Sequence, residues 1–174
     1  MGIKTLASAL AREHREIDGG IESFTSGSRA GDALSLSGTI QALRRHIYLE
    51  EEFLFPPLRG GTPELSETIG VMVREHGQLW DLLDQLELEI VDNRSSETTR
   101  RLCRRIFAKL APHHEKEEEL LYTAADNVLE KPAEVRLRGF LAYAKLPEGW
   151  ACSASKTPNK SSFRPAAYPY RRTC

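Results

Sequence analysis

Histidine and glutamate recur in this chain at intervals that would let them share metal ions. His14, His46, His76 and His113 fall at matching points of four helical patterns, and His46 and His113 are each followed four residues later by a glutamate, Glu50 and Glu117. Positions four apart on an α-helix differ by about 40° in azimuth and about 6 Å along the axis, so each His/Glu pair points to one side. An unpaired buried carboxylate or imidazolium costs several kcal/mol, and a cation is the simplest compensation for four histidines and two glutamates set on apolar stripes. Imidazole with carboxylate and no thiolate suits iron, manganese or zinc. Two carboxylates able to bridge favour a pair of iron ions, with Glu50 and Glu117 as bridges and the four histidines as terminal ligands. Each ion would keep one or two positions for water, dioxygen or another small ligand.

The neighbouring polar residues are expected to do less. Glu51 and Glu52 lie about 140° and 240° around the helix from His46, as Glu118 and Glu119 do from His113, which makes them surface charges. Glu13 and Glu75, each preceding a histidine, are also expected to face solvent. His114 sits about 100° off the stripe, exposed or outside the ligand set. The register His114/Glu118 has the same four-residue spacing, but His113/Glu117 is preferred because Leu110-His113-Glu117-Leu120 repeats Leu43-His46-Glu50-Phe53. A metal-bound histidine usually donates its second ring N–H to a carboxylate or carbonyl, and Asp18, one turn beyond His14, is a candidate.

Four helices must present these residues. Leu6, Leu10, Ile17, Ile21 and Phe24 recur at three- and four-residue steps and predict a helix over about 4–24, with His14 on its stripe. After Ser26–Gly31, with Asp32 as a capping residue, Leu36, Ile40, Leu43, His46, Glu50 and Phe53 trace a second stripe ending near Pro56-Pro57. Gly60-Gly61 turns the chain, and Thr62-Pro63 opens a third helix carrying Ile69, Val73, His76, Leu79/Trp80, Leu83, Leu86 and Ile90 to about Asp92. Asn93–Ser96 breaks it. The fourth reads Leu102, Ile106, Leu110, His113, Glu117 and Leu120/Leu121, with Pro112 expected to kink it near the ligands. A shorter fifth helix over about 132–145 starts at Pro132, and from 147 the composition turns to Pro, Ser, Lys, Asn and Arg without period. The expectation is an all-α, up-down-up-down four-helix bundle over 1–146 with a short fifth helix, then a flexible tail over 147–174.

The halves repeat. His46-Ile-Tyr-Leu-Glu50-Glu-Glu-Phe-Leu-Phe55 overlays His113-His-Glu-Lys-Glu117-Glu-Glu-Leu-Leu-Tyr122, and Glu13-His14 with its following Ile17 and Ile21 overlays Glu75-His76 with Leu79 and Leu83. Two helical hairpins, each supplying one lone His and one His-x-x-x-Glu, follow from that symmetry.

Bulk properties narrow the partners. A chain of 174 residues with 40% apolar and 28% charged residues suits one globular domain. Net charge −1 and no basic stripe interleaved with aromatics argue against nucleic acid and anionic membranes as partners. No apolar run approaches the roughly 18–20 residues of a spanning helix, and the amphipathic N-terminus is unlike a signal peptide, so a cytoplasmic location is expected. Cys103, Cys152 and Cys174 lack Cys-x-x-Cys spacing and an even count, and read as reduced thiols, the last two within the tail.

Taken together, Glu13-His14, His46-x-x-x-Glu50-Glu-x-x-Leu-Phe-Pro56, Glu75-His76 and His113-x-x-x-Glu117-Glu-x-x-Leu-Tyr122 resemble the hemerythrin-like, HHE cation-binding proteins over about residues 4–125. The resemblance implies a four-helix bundle with a carboxylate-bridged, non-haem di-iron centre that binds dioxygen or reacts with nitric oxide or peroxide. Oxygen-carrying members place a second histidine one turn after the third-helix ligand, where this chain has Trp80. Four His and two Glu look more like proteins that repair iron–sulfur centres under stress, and like iron- or oxygen-sensing domains. The reading therefore spans sensing or storing iron, turning over a small oxidant, donating iron for cluster repair, and a bundle stabilised structurally by zinc or manganese.

Overall fold

The computed structural model describes residues 5–26, 33–92, 96–143 and 145–156. Asp32, most of the Asn93–Ser96 break and residues 157–174, Cys174 included, lie outside the described residues. Helix α1 spans Leu6–Thr25. Helix α2 spans Ala33–Leu49 and runs through a π turn, Glu50–Leu54, into a short α-helical end at Phe55–Arg59. Helix α3 spans Pro63–Val91, and α4 spans Ser96–Lys116 before a second π turn, Glu117–Tyr122, leads into Thr123–Val128. Helix α5 spans Lys131–Tyr143. No strand occurs among the described residues.

Local chemistry explains the helix starts. Thr5 Oγ1 accepts the Ser8 amide at 3.1 Å and Thr62 Oγ1 accepts that of Leu65 at 3.3 Å, each satisfying a first-turn N–H, while Pro63 sits where no intrahelical donor is needed. Helix α4 continues through Pro112 to Lys116, and a π turn follows at Glu117.

Helix α1 packs on α2 and α4, and α3 packs on α2 and α4, so the four form a closed ring in which sequence neighbours are spatial neighbours. Two apolar clusters fill its ends. One contains Ile17, Ile40, Leu43, Leu79, Leu83 and Ile106; the other contains Leu10, Leu54, Phe55, Met72, Leu121 and Tyr122, with Leu137 of α5 padding that end. The histidines and glutamates lie between them. At the α1/α2 contact a Cβ on Gly20 would meet the Thr39 side chain, so the two helices approach closely there.

The π turns correct the expected stripes. Each closes with i→i+5 bonding, one residue more than an α turn, which rotates everything beyond it by about 100°. Phe55 N–H accordingly donates to the Glu50 carbonyl. Leu120, expected inside, is 49% exposed, and Phe53 is only partly buried. Leu54, Phe55, Leu121 and Tyr122 take the inward places.

Residues 147–156, assigned by composition to a flexible tail, instead pack against the bundle. Trp150 lies edge-on to Tyr48 and Trp80, at ring separations of 5.1 and 5.3 Å, and its Nε1–H donates to Glu52 at 3.0 Å. Cys152 is buried, and the Lys156 amide donates to Asp81 at 2.9 Å. Gly77 makes room for this strap, since a Cβ there would collide with the Ala154 backbone carbonyl. Composition describes what a segment lacks, and here Trp150 and Cys152, with Leu146, Ala151 and Ala154, pack on the core.

Candidate metal centre

Helices α1 and α3 each bring one histidine to the middle of the bundle, and α2 and α4 each bring one histidine and one glutamate. All six side chains expected as ligands, His14, His46, Glu50, His76, His113 and Glu117, are buried there. They form two groups of four, His14/His46/Glu50/Glu117 and Glu50/His76/His113/Glu117, each with its donor atoms within 4.8 Å of one another. Glu50 and Glu117 belong to both. Glu50 approaches His46 Nε2 through Oε1 at 3.4 Å and His76 Nε2 through Oε2 at 3.3 Å. Glu117 approaches His14 Nε2 through Oε2 at 3.4 Å and His113 Nε2 through Oε1 at 3.1 Å. Each carboxylate thus spans the two groups with one oxygen on each side.

Polar satisfaction shows what these atoms await. Glu50 Oε2, both Glu117 oxygens and His76 Nε2 are buried with no hydrogen-bond partner among the described residues. Such orphaned atoms are costly unless a cation completes them, and imidazole nitrogen with carboxylate oxygen fits one or two ions of borderline or hard character.

A ring of four further carboxylates orients the histidines. Glu13 of α1 accepts from His46 Nδ1 at 2.9 Å, Glu51 from His76 Nδ1 at 2.9 Å, Glu75 of α3 from His113 Nδ1 at 2.8 Å, and Glu118 from His14 Nδ1 at 2.8 Å. Each glutamate reaches from the preceding helix of the ring to the next. Glu13, Glu51 and Glu75 are therefore partly buried rather than the surface charges expected, whereas Glu118 is exposed as expected and still bonds His14. Azimuth locates a Cβ, whereas Nδ1 faces outward when Nε2 faces inward, and a long glutamate from the neighbouring helix meets it at the flank. The bonds fix the tautomer, leaving Nε2 to face the ion site. The sequence held the signal: Glu-His in α1 and α3, and Glu-Glu after each four-residue spacing.

Asp18 pairs with His114 Nδ1 at 3.3 Å rather than with His14. His114 is buried, contrary to an exposed placement, and stacks on His14 at 3.6 Å between ring centroids. It belongs to neither donor group. Trp80 fills the place of the additional histidine with a core side chain, and the Arg44 guanidinium lies 5.0 Å from its ring centroid.

The residue missed entirely is Tyr122. Its hydroxyl donates to Glu50 Oε1 at 2.6 Å and lies 2.7 Å from His14 Nε2 and 3.2 Å from His46 Nε2. Only the π turn brings it there.

Charges in the metal-free centre are set by opposing effects. Burial pulls the His46 imidazole down, but the charge of Glu50 and the hydrogen bonds the ring donates to Glu13 and Glu50 outweigh it and raise the pKa to about 10. Burial and the charge of Glu117 push Glu50 up, and the facing histidines nonetheless hold it at about 2. Burial and the charges of Glu50 and Glu117 hold the Tyr122 phenol well above its ordinary value. Without metal, His46 and His76 would stand as imidazoliums against Glu50, and His113 against Glu117, around a neutral phenol.

The chain matches the hemerythrin HHE cation-binding domain over residues 5–125, and it belongs to that family. It is a metal-binding, hemerythrin-like four-helix bundle. Comparisons with curated proteins and with solved structures gave no significant match. No helix among the described residues is long and apolar enough to cross a membrane.

Proposed function

We propose that the protein holds two non-haem iron ions bridged by Glu50 and Glu117, and that the pair binds or reacts with dioxygen, nitric oxide or peroxide. The observation that carries this reading is the sharing of both carboxylates between two buried donor sets, with Glu50 Oε2 and both Glu117 oxygens lacking a hydrogen-bond partner among the described residues. His14 and His46 would hold one ion, His76 and His113 the other. The carboxylate ring keeps their Nε2 atoms inward, and the apolar clusters above and below exclude bulk water. When bound, iron supplies electron transfer to a small oxidant and open positions for it. Two histidines and two carboxylate oxygens per ion would leave iron or manganese, which take five or six donors, with positions for a small ligand.

The decisive measurement is metal content per chain, with the optical spectrum, after aerobic purification from iron-supplemented cells. Two irons with a ligand-to-iron charge-transfer band support the assignment, and turnover of peroxide or nitric oxide would distinguish an enzyme from a sensor or an iron donor. A protein that refuses iron, or holds zinc or manganese in its place, overturns it.

A further inference from the structure

The two halves of the centre are not equivalent, although the sequence repeat that builds them is nearly symmetric. The repeat places Phe55 and Tyr122 at the same offset from His46 and His113, and both π turns swing these rings inward. Phe55 stacks on His76, with ring centroids 5.6 Å apart and planes 8° apart, and offers no donor atom. Tyr122 presents an oxygen to the other half.

That oxygen sits where a ligand would. Metal–ligand bonds of about 2.1 Å set neighbouring ligand atoms of a six-coordinate ion about 3 Å apart. The proposed donors of this half are so spaced: His14 Nε2 and His46 Nε2 lie 3.0 Å apart, His46 Nε2 and Glu50 Oε1 3.4 Å, and His14 Nε2 and Glu117 Oε2 3.4 Å. Tyr122 Oη adds three edges of the same kind, at 2.7, 3.2 and 2.6 Å from His14 Nε2, His46 Nε2 and Glu50 Oε1. The side chain is fully buried, so the oxygen has no water to turn to.

We propose, building on the di-iron reading, that Tyr122 is a ligand of the ion held by His14 and His46, so that exchangeable small ligands bind at the His76/His113 ion. On ligation the phenol O–H bond breaks, the oxygen keeps the electron pair and shares it with the ion, and the proton leaves to solvent. The ion on the Tyr122 side then has His14, His46, Glu50, Glu117 and a phenolate around it. Its partner, facing Phe55, has two histidines and two carboxylate oxygens and keeps more of its positions open.

The test uses the full chain loaded with ferric iron. Resonance Raman spectra excited in the visible band should show phenolate ring modes that shift when ring-deuterated tyrosine is incorporated. Tyr122→Phe should lose those modes while keeping its iron and its circular dichroism, and should gain a second azide-binding position. Phe55→Tyr should add a second set of phenolate modes. A loaded wild-type protein without phenolate modes, or a loaded Tyr122→Phe variant that retains them, overturns the ligation and leaves the di-iron reading standing. A chain that takes up no iron overturns both.

Discussion

The Glu118 carboxylate lies 2.8 Å from Nδ1 of His14 on the neighbouring helix, one residue beyond Glu117, which belongs to both donor groups. Adjacent glutamates on one π turn therefore serve different partners: Glu117 turns to the donor groups, and Glu118 holds a histidine of the next helix in orientation. Glu50 and Glu51 repeat the arrangement toward His76.

Removing an orienting carboxylate should weaken metal binding without abolishing it. Glu118→Ala and Glu51→Ala should each lower affinity by about 10- to 100-fold, the usual cost of losing the partner of a ligating histidine. Glu119→Ala, at an exposed position, should change nothing. Competition with a chelator measures all three, and equal affinities would contradict the ring.

Glu50→Ala and Glu117→Ala remove a carboxylate that spans both donor groups. Each should reduce iron from two to one or fewer per chain, read by elemental analysis. Retention of two irons in either variant would show that the carboxylate does not bridge.

Acidity should act in opposite senses on the metal-free fold and on metal uptake. His46, raised from 6.5 to about 10, stabilises the metal-free fold fully below pH 6.5 and loses that contribution as pH rises toward 10. Glu75, held at about 2 by its bond to His113 and by Lys116 against partial burial, stabilises it above 4.5 and loses the contribution as pH falls toward 2. Stability without metal should therefore peak between about pH 4.5 and 6.5 in denaturant titrations. Metal binding must displace the imidazolium protons, so affinity should rise and protons should be released between pH 6 and 9, as calorimetry in buffers of different ionisation enthalpy would detect.

Burial pushes the Cys103 thiol up to about 11, and burial with the charge of Glu51 pushes Cys152 up to about 12. Thiolates are the reactive form, so neither residue should be alkylated at pH 8 while the protein is folded, and both should be in denaturant. Peptide mass mapping after iodoacetamide treatment distinguishes the two states. Rapid native labelling of Cys152 would show that the strap is not seated.

Gly77→Ala should dislodge that strap, because its new Cβ would meet the Ala154 carbonyl. Overpacking of this kind costs about 1–3 kcal/mol and should lower the unfolding midpoint. Trp150 fluorescence should shift to the red as the ring leaves Tyr48 and Trp80. A variant with unchanged midpoint and emission would mean that the strap contributes nothing there.

The amino-acid sequence carried the bundle, the four helices and the six inward-facing residues, because helical period is local: His46 and Glu50 share a face whatever surrounds them. It also carried the twofold repeat, and hence the expectation that each hairpin supplies the same donors. Three things waited for the tertiary structure. The carboxylate ring exists only where neighbouring helices bring a flank of one against the Nδ1 of another, as Glu13 meets His46 and Glu75 meets His113. Packing, not composition, decided that Trp150 and Cys152 belong to the domain. The π turns at Glu50 and Glu117 shifted the inward stripe by one residue, exposing Leu120 and burying Tyr122. A strict α period cannot foresee that rotation, because it carries one turn geometry through residues where the chain takes a wider one.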